Sequence, residues 1–250
     1  MSPSFKLFLN SPYLMFKLLR LEMLARKHRR YPQDLDVQKR NDFILKIAKR
    51  MLKIYNIKVV VKGRENLEKA PALIMPNHND NLDVFALMYA MLKTTQDKSV
   101  NHELISFLGK IELTRKRIVK HAVELLDGVF IDRAKFKSAW NGTLDFGVMV
   151  KENKKYGVIF PEGTRSETGV MGEFKRGAFK LAKINLLPII PTTINYSKVG
   201  FDKKNKKATV EVIFNKPIAY KNILALSEEA LMKNTKSAIE KEYLGGDKHE

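Results

Sequence analysis

Two short strings hold the side chains of this chain that could do chemistry. NHNDNLD, at 77–83, carries an imidazole, His78, with a carboxylate, Asp83, five positions on. FPEGTRS, at 160–166, carries a carboxylate, Glu162, a flexible glycine, Gly163, then Thr164 and a guanidinium, Arg165. An imidazole steered by a carboxylate is a proton acceptor, and a guanidinium beside a glycine turn is an anion clamp. Together they suit the activation of a hydroxyl on a phosphate-bearing substrate. The chain contains no cysteine, which excludes disulfides, thiolate metal sites and a cysteine nucleophile.

The first string also reads as a plain helix start, with Asp80 as N-cap and Asp83 at the third helical position. Leu82, Val84, Phe85, Leu87, Met88 and Met91 follow at the spacing of a largely buried helix.

The two strings are the first and third of four blocks in which the chain resembles the 1-acyl-sn-glycerol-3-phosphate acyltransferase family. Asn77, His78 and Asp83 match the first block, and GVFIDR at 128–133 resembles the second. The third is FPEGTRS with FKRGA at 174–178, and LLPIIP at 186–191 resembles the fourth. The blocks keep the family's order, and the resemblance runs from about Val59 to about Ile218. Two positions depart from it: Asp80 stands where the family commonly has Ser, and Asn215 where it has Gly. Asp80 exchanges one good N-cap for another.

The resemblance implies transfer of a fatty acyl chain from a thioester donor to the free hydroxyl of lysophosphatidic acid, giving phosphatidic acid for phospholipid biosynthesis. It gives His78 the role of general base and Asp83 that of holding its tautomer. It places the acceptor's phosphate on Arg165, in a loop shaped by Glu162, Gly163 and Thr164. Lys110, in GKIEL, and Arg133, closing GVFIDR, resemble further positions that face the phosphate. No covalent intermediate, metal or resident cofactor is implied, because the donor, an acyl carrier protein or coenzyme A thioester, is a cosubstrate. Backbone amides after His78 or around Gly163 are the expected oxyanion donors. Glycerol-3-phosphate or another lysophospholipid is the alternative acceptor. A non-catalytic basic protein that binds membrane or nucleic acid is the remote alternative. His28, His102, His121 and His249 lack a comparable neighbour in sequence and read as packing or surface residues.

From residue 57 onward, short β-branched runs alternate with helical patterns. Strands are predicted at 57–61, 72–75, 129–131, 156–160, 187–193 and 208–214, and helices at 82–92, 117–126, 138–152, 175–184 and 227–243. Such alternation predicts an α/β fold, a mostly parallel sheet flanked by helices, over residues 56–250. Both chemical strings then follow strands, at the sheet edge where ligands sit. GGDKHE at 245–250 reads as a frayed tail.

Residues 1–55 are different. Phe5, Phe8, Tyr13, Phe16, Leu19 and Met23 are interleaved with Lys6, Lys17 and Arg20, and Arg26, Lys27, Arg29 and Arg30 follow. A second helix is predicted at 41–55, after a break at 31–36. Apolar side chains flanked by cations predict an amphipathic segment docked on a membrane, the competing reading being two helices packed on the domain as a hairpin with their cations solvated. The protein is therefore expected at the cell membrane, peripheral and on the cytoplasmic face. The net charge of +19 asks for an anionic partner. An anionic membrane surface fits, and the absence of any zinc-finger, RNA-binding or helix-turn-helix pattern leaves nucleic acid unexpected. No run of eighteen apolar residues occurs, and Lys17, Arg20 and Glu22 interrupt the apolar stretch at 13–24 with no cleavage site after it.

Overall fold

The structure, a computed structural model, describes residues 1–204 and 206–247. In chain order the elements are helix α1 (Pro3–Arg30), α2 (Val37–Ile54), strand β1 (Ile57–Lys62), β2 (Ala72–Pro76), α3 (Leu82–Ala90), β3 (Ile105–Lys110), α4 (Arg117–Leu125), β4 (Val129–Ile131), α5 (Phe136–Glu152), β5 (Tyr156–Val158), α6 (Arg176–Asn185), β6 (Ile189–Asn195), β7 (Ala208–Phe214), α7 (Tyr220–Ala225) and α8 (Glu228–Glu242). The strands form one seven-stranded sheet in the order β1-β7-β6-β2-β5-β3-β4. β1 and β7 are parallel to each other and antiparallel to the rest, through the β6–β7 pairing.

The apolar runs explain the layering. Along β2 every residue is buried, as expected where helices cover both faces of a parallel sheet. Side chains alternate, so Ala72 and Ile74 join a core with α2 and α3, while Leu73 and Met75 join another with α5, α6 and α8. The fold is an α/β three-layer structure, as the alternation predicts.

Three local readings need correction. β3 has no counterpart among the predicted strands. ISFLGK contains Ser106 and Gly109 where a buried strand usually reads apolar, yet Ser106 is fully buried beside Gly157 of β5 and Gly109 pairs with Phe130 of β4. The strand predicted at 187–193 begins at Ile189, because Leu186, in the left-handed region, and Leu187 close the end of α6 and Pro188 has no N–H to donate. The strand predicted at 156–160 ends at Val158, and Ile159 and Phe160 belong to the loop that carries the second string. The short α7 is also additional.

Residues 1–55 divide between two fates. α2 is a core helix: Phe43, Ile44, Leu45, Ala48, Leu52 and Ile54 are buried. α1 buries Leu21 and Ala25 but leaves a long apolar stripe facing outward, with Phe8 74%, Leu19 67%, Met15 64% and Phe16 60% exposed. Apolar residues lie on both its faces, so it is not amphipathic as predicted: one face packs inward and the other is uncovered.

Charge clusters fasten α1 to the domain. Glu22 accepts from Arg117 at 2.6 Å and contacts His121 at 3.0 Å. Its carboxyl is lowered to about 2, chiefly by the Arg117 hydrogen bond. His28 meets Asp127 at 3.1 Å. Both histidines therefore have acidic neighbours that the sequence conceals, and both serve packing. His249 lies outside the described residues.

Asp127 is the hub of this junction. It takes a bidentate grip from Arg40, at 2.8 and 3.1 Å, and an ion pair from Lys155. Arg40 and Lys155 are 4% and 2% exposed. Burial alone would raise the Asp127 pKa, but the two cations outweigh it and lower it. Burial lowers the Lys155 pKa against the pull of Asp127.

Candidate active site

The first string begins where β2 ends. Asn77, 1% exposed, continues the strand with its side chain: Oδ1 accepts from Ile194 N at 2.7 Å and Nδ2 donates to Ile194 O at 2.9 Å. The turn that follows is organised around Asp83. Its Oδ2 accepts from His78 Nδ1 at 2.7 Å, Asn79 N at 2.7 Å and Asp80 N at 2.9 Å. Asp80 Oδ1 in turn accepts from Leu82 N at 2.8 Å. The two carboxylates thus close the turn that leads into α3, whose cap position is Asn81, one residue later than the sequence reading placed it. The same Asp83 oxygen that meets His78 also holds this turn.

Since a carboxylate only accepts, the proton on the His78 imidazole sits on Nδ1, which leaves Nε2 as a base. The His78 ring also stacks on Phe160, with centroids 3.9 Å apart and planes at 26°. Phe160 belongs to the second string, and sequence reasoning assigned it no role. An aromatic next to a proline in a loop offers no signal for such a stack.

The two strings are hydrogen-bonded to each other on both sides of the base. His78 N donates to Glu162 Oε1 at 2.7 Å, and Ser166 N donates to His78 O at 2.8 Å. Glu162 Oε2 also accepts from Gly172 N at 2.7 Å. Glu162 is 5% exposed, and burial raises its pKa against the lowering effect of these amides. It organises the loop and presents no free oxygen to a ligand. Gly163 adopts φ +78°, a conformation that favours glycine, and its carbonyl accepts from Arg133 Nη1.

A cavity of about 750 Å³ opens beside this loop, lined by residues that include Ile131, Arg133, Phe160, Thr164, Arg165 and Lys175. β2, β5, β3 and β4 are consecutive parallel neighbours, so all four send their C-terminal ends to one edge of the sheet. Thr164 and Arg165 are exposed at its lip, and among the described residues Arg165 forms no ion pair. Arg133 is exposed, although desolvation of its guanidinium beside the loop lowers its pKa. Lys110 ends β3 on the same edge and is exposed, but it does not line the cavity. His78 lies behind the Phe160 ring, with 16% of its side chain exposed.

The expected oxyanion donors are already engaged. Asn79 N and Asp80 N serve Asp83, Leu82 N serves Asp80, and Gly163 N donates to Phe160 O. No group of three or more His, Asp or Glu among the described residues is placed to hold a metal ion.

A family model described as Acyltransferase matches residues 58–195. The "Probable 1-acyl-sn-glycerol-3-phosphate acyltransferase" of Mycoplasma pneumoniae is 30% identical over 93% of this chain and 88% of its own length. The 1-acyl-sn-glycerol-3-phosphate acyltransferase of Saccharomyces cerevisiae is 33% identical over 66% of this chain and 53% of its own length. The crystal structure of the 1-acyl-sn-glycerophosphate (LPA) acyltransferase PlsC from Thermotoga maritima shares the fold, with a TM-score of 0.65, 22% identity, and coverage of 91% of this chain and 93% of that one. A family model matched over more than half of the chain, together with a relative aligned almost end to end, shows that the chain belongs to the acyltransferase family, among the 1-acyl-sn-glycerol-3-phosphate acyltransferases.

Proposed function

We propose that this protein transfers a fatty acyl chain from a thioester to the free hydroxyl of lysophosphatidic acid, forming phosphatidic acid at the cytoplasmic face of the cell membrane. One observation carries the reading: the base and the cation-bearing loop are hydrogen-bonded to each other around His78, beside one cavity. In the proposed reaction His78 Nε2 takes the proton of the acceptor hydroxyl as its oxygen attacks the thioester carbonyl. Asp83 stabilises the imidazolium. As the tetrahedral intermediate collapses, the carbon–sulfur bond breaks and the thiolate leaves with the proton from His78. No resident cofactor enters. The Thr164 and Arg165 amides, which flank the cavity, are the proposed donors to the oxyanion.

Arg165 is the proposed phosphate clamp, and Arg133 fixes the loop that carries it. A guanidinium grips two oxygens where an ammonium grips one. Arg165→Lys should therefore raise the acceptor KM by about 10-fold or more while leaving the donor KM within about twofold, as expected when a charge-assisted bond is lost. An unchanged acceptor KM would remove the assignment. The reading itself is tested by offering the purified protein lysophosphatidic acid, glycerol-3-phosphate and a neutral-headgroup lysophospholipid, each with acyl carrier protein and coenzyme A thioesters. Thiol release with lysophosphatidic acid is the expected result. Turnover only with another acceptor would reassign the substrate.

The outward stripe of α1 supports membrane docking, since Phe8, Met15, Phe16 and Leu19 share one exposed side of the helix, while Lys17 and Arg20 lie over the Phe43 ring of α2. No described helix is long and apolar enough to cross a membrane. Each buried large apolar side chain contributes about 1.5–3 kcal/mol. Serine at Phe8, Phe16 and Leu19 together should thus lower partitioning onto vesicles with anionic lipid by at least about tenfold, measured by sedimentation. Undiminished binding would exclude this face.

A further inference from the structure

The segment after α8, predicted to fray, instead runs against β6 and the active-site turns. Leu244 N donates to Asn195 Oδ1 at 2.8 Å, and Asn195 Nδ2 donates to Glu242 O at 2.9 Å. Tyr196 N donates to Gly245 O at 2.9 Å, and Lys198 N to Gly246 O at 3.0 Å. Residues 244–246 are therefore a strap fixed to the end of β6, the strand that Asn77 also grips.

The strap holds Tyr243 between the two chemical strings. Its hydroxyl contacts Asn79, the neighbour of His78, at 3.1 Å, and donates to the carbonyl of Gly169. A phenol has one proton and two lone pairs. With the proton committed to Gly169, the Asn79 contact is satisfied by turning the amide so that Nδ2 donates to the phenol oxygen. That assignment pairs Asn79 Nδ2 with the phenol and moves Oδ1 to the buried position that the nitrogen otherwise occupies. The result is an ordered chain from Asn79 through Tyr243 to Gly169.

Gly169 belongs to the loop that follows Arg165. That loop is pinned at its start by Ser166 N to His78 O and at its end by Gly172 N to Glu162. Between those points, its hydrogen bonds to distant parts of the chain, among the described residues, are Tyr243 on Gly169 and Lys198 Nζ on Glu167 O, at 2.6 Å, while Met171 packs against the core. Lys198 is itself held by the strap through Gly246. Burial raises the Tyr243 pKa against the lowering effect of the Asn79 hydrogen bond, with Glu162 and Asp83 adding to the rise.

We infer that Tyr243 is a positioning residue for acyl transfer: through Asn79 and Gly169 it sets the separation between the base and the phosphate-binding loop. The inference rests on the function proposed above. Tyr243→Phe removes one oxygen, keeps the ring, and leaves the fold intact. The acceptor KM should rise about 3- to 30-fold, the range expected for one lost hydrogen-bonded link, while the donor KM stays within twofold and the melting temperature within a few degrees. A fall in kcat alone would mean only a smaller active fraction and would overturn the role, as would an unchanged acceptor KM.

Amide hydrogen exchange gives a readout independent of turnover. Exchange at residues 167–172 should quicken about 3- to 30-fold in Tyr243→Phe, without change in β7. Unaltered exchange there would overturn the strap even if lysophosphatidic acid proved to be the wrong acceptor. Wild-type failure with lysophosphatidic acid, alongside faster loop exchange in the variant, would reject the acceptor and keep the positioning role.

Discussion

Replacing His78 with alanine should lower thioester turnover by about 10²- to 10⁴-fold, the usual contribution of a positioned general base. The effect should be confined to chemistry. Among the described residues the His78 ring makes no hydrogen bond other than the one to Asp83, and its backbone links to Glu162 and Ser166 survive the substitution. Thermal unfolding of His78→Ala should therefore track the wild type within a few degrees. Asp83→Ala makes the contrast. Asp83 is fully buried and holds the turn into α3 through Asn79 N and Asp80 N, so its loss should reduce both activity and stability, the latter by about 1 kcal/mol or more. Thiol release and melting curves on the two variants check both statements. His78→Ala turning over within tenfold of wild type would remove the base from the mechanism.

Asp127→Ala should be the most destabilising single change outside the site. It strips the counter-charge from Arg40 and Lys155, both almost wholly buried. Breaking a buried pair in this way costs about 3–5 kcal/mol, because a charge is left without compensation. Urea titration at neutral pH should show the loss as a lower midpoint with little change in slope. The pH dependence has a definite sign. The folded Asp127 pKa is depressed, so in the wild type its contribution is complete above the unfolded value of about 3.9 and is lost as the pH falls through the folded value. In the variant two groups that lose this partner can shed a proton, His28 and the almost wholly buried Lys155, and Lys155 dominates above neutral pH. Its folded pKa is already lowered by burial and falls further without Asp127. Between that value and about 10.4 the unfolded state binds more protons. The variant should regain stability as the pH rises, and its deficit should narrow toward pH 10. A constant deficit across the range would mean that Asp127 acts through the backbone of its turn alone.

The Asp127 hub also bears on function. It joins α1 through His28, α2 through Arg40, the turn before β4, and the entry to β5 through Lys155. The helix proposed to meet the bilayer is thus coupled to the strand that ends in the Arg165 loop.

How much of this was legible in the sequence depends on the distance each interaction spans. The His78–Asp83 pair lies within five residues, and the turn closed by Asp80 and Asp83 within three. Both could be read because a single turn and the start of one helix bring them together whatever the rest of the chain does. The alternation of β-branched runs with helical periods likewise determined an α/β layer structure, since each element's burial pattern is local. β3 escaped because Ser106 and Gly109 break the apolar run. Their place in a strand is explained only by the neighbours they pair with, Gly157 in β5 for Ser106 and Phe130 in β4 for Gly109.

What only the tertiary structure decided is every contact made across the sheet. The stack of Phe160 on His78, the grip of Arg133 on Gly163, and the placing of both strings on neighbouring parallel strands follow from strand order. Strand order is a global property that no window of sequence contains. Glu22 reaches His121 across 99 residues, and Tyr243 reaches Asn79 across 164. A side chain's type says what it can bind, but closing such loops is governed by topology and packing. The sequence by itself therefore determined the chemistry available, a base, its orienting acid and a cation. The fold determined that they meet at one edge of the sheet, with Arg165 lining the cavity and His78 behind Phe160, and that α1 keeps one apolar face uncovered while α2 keeps none.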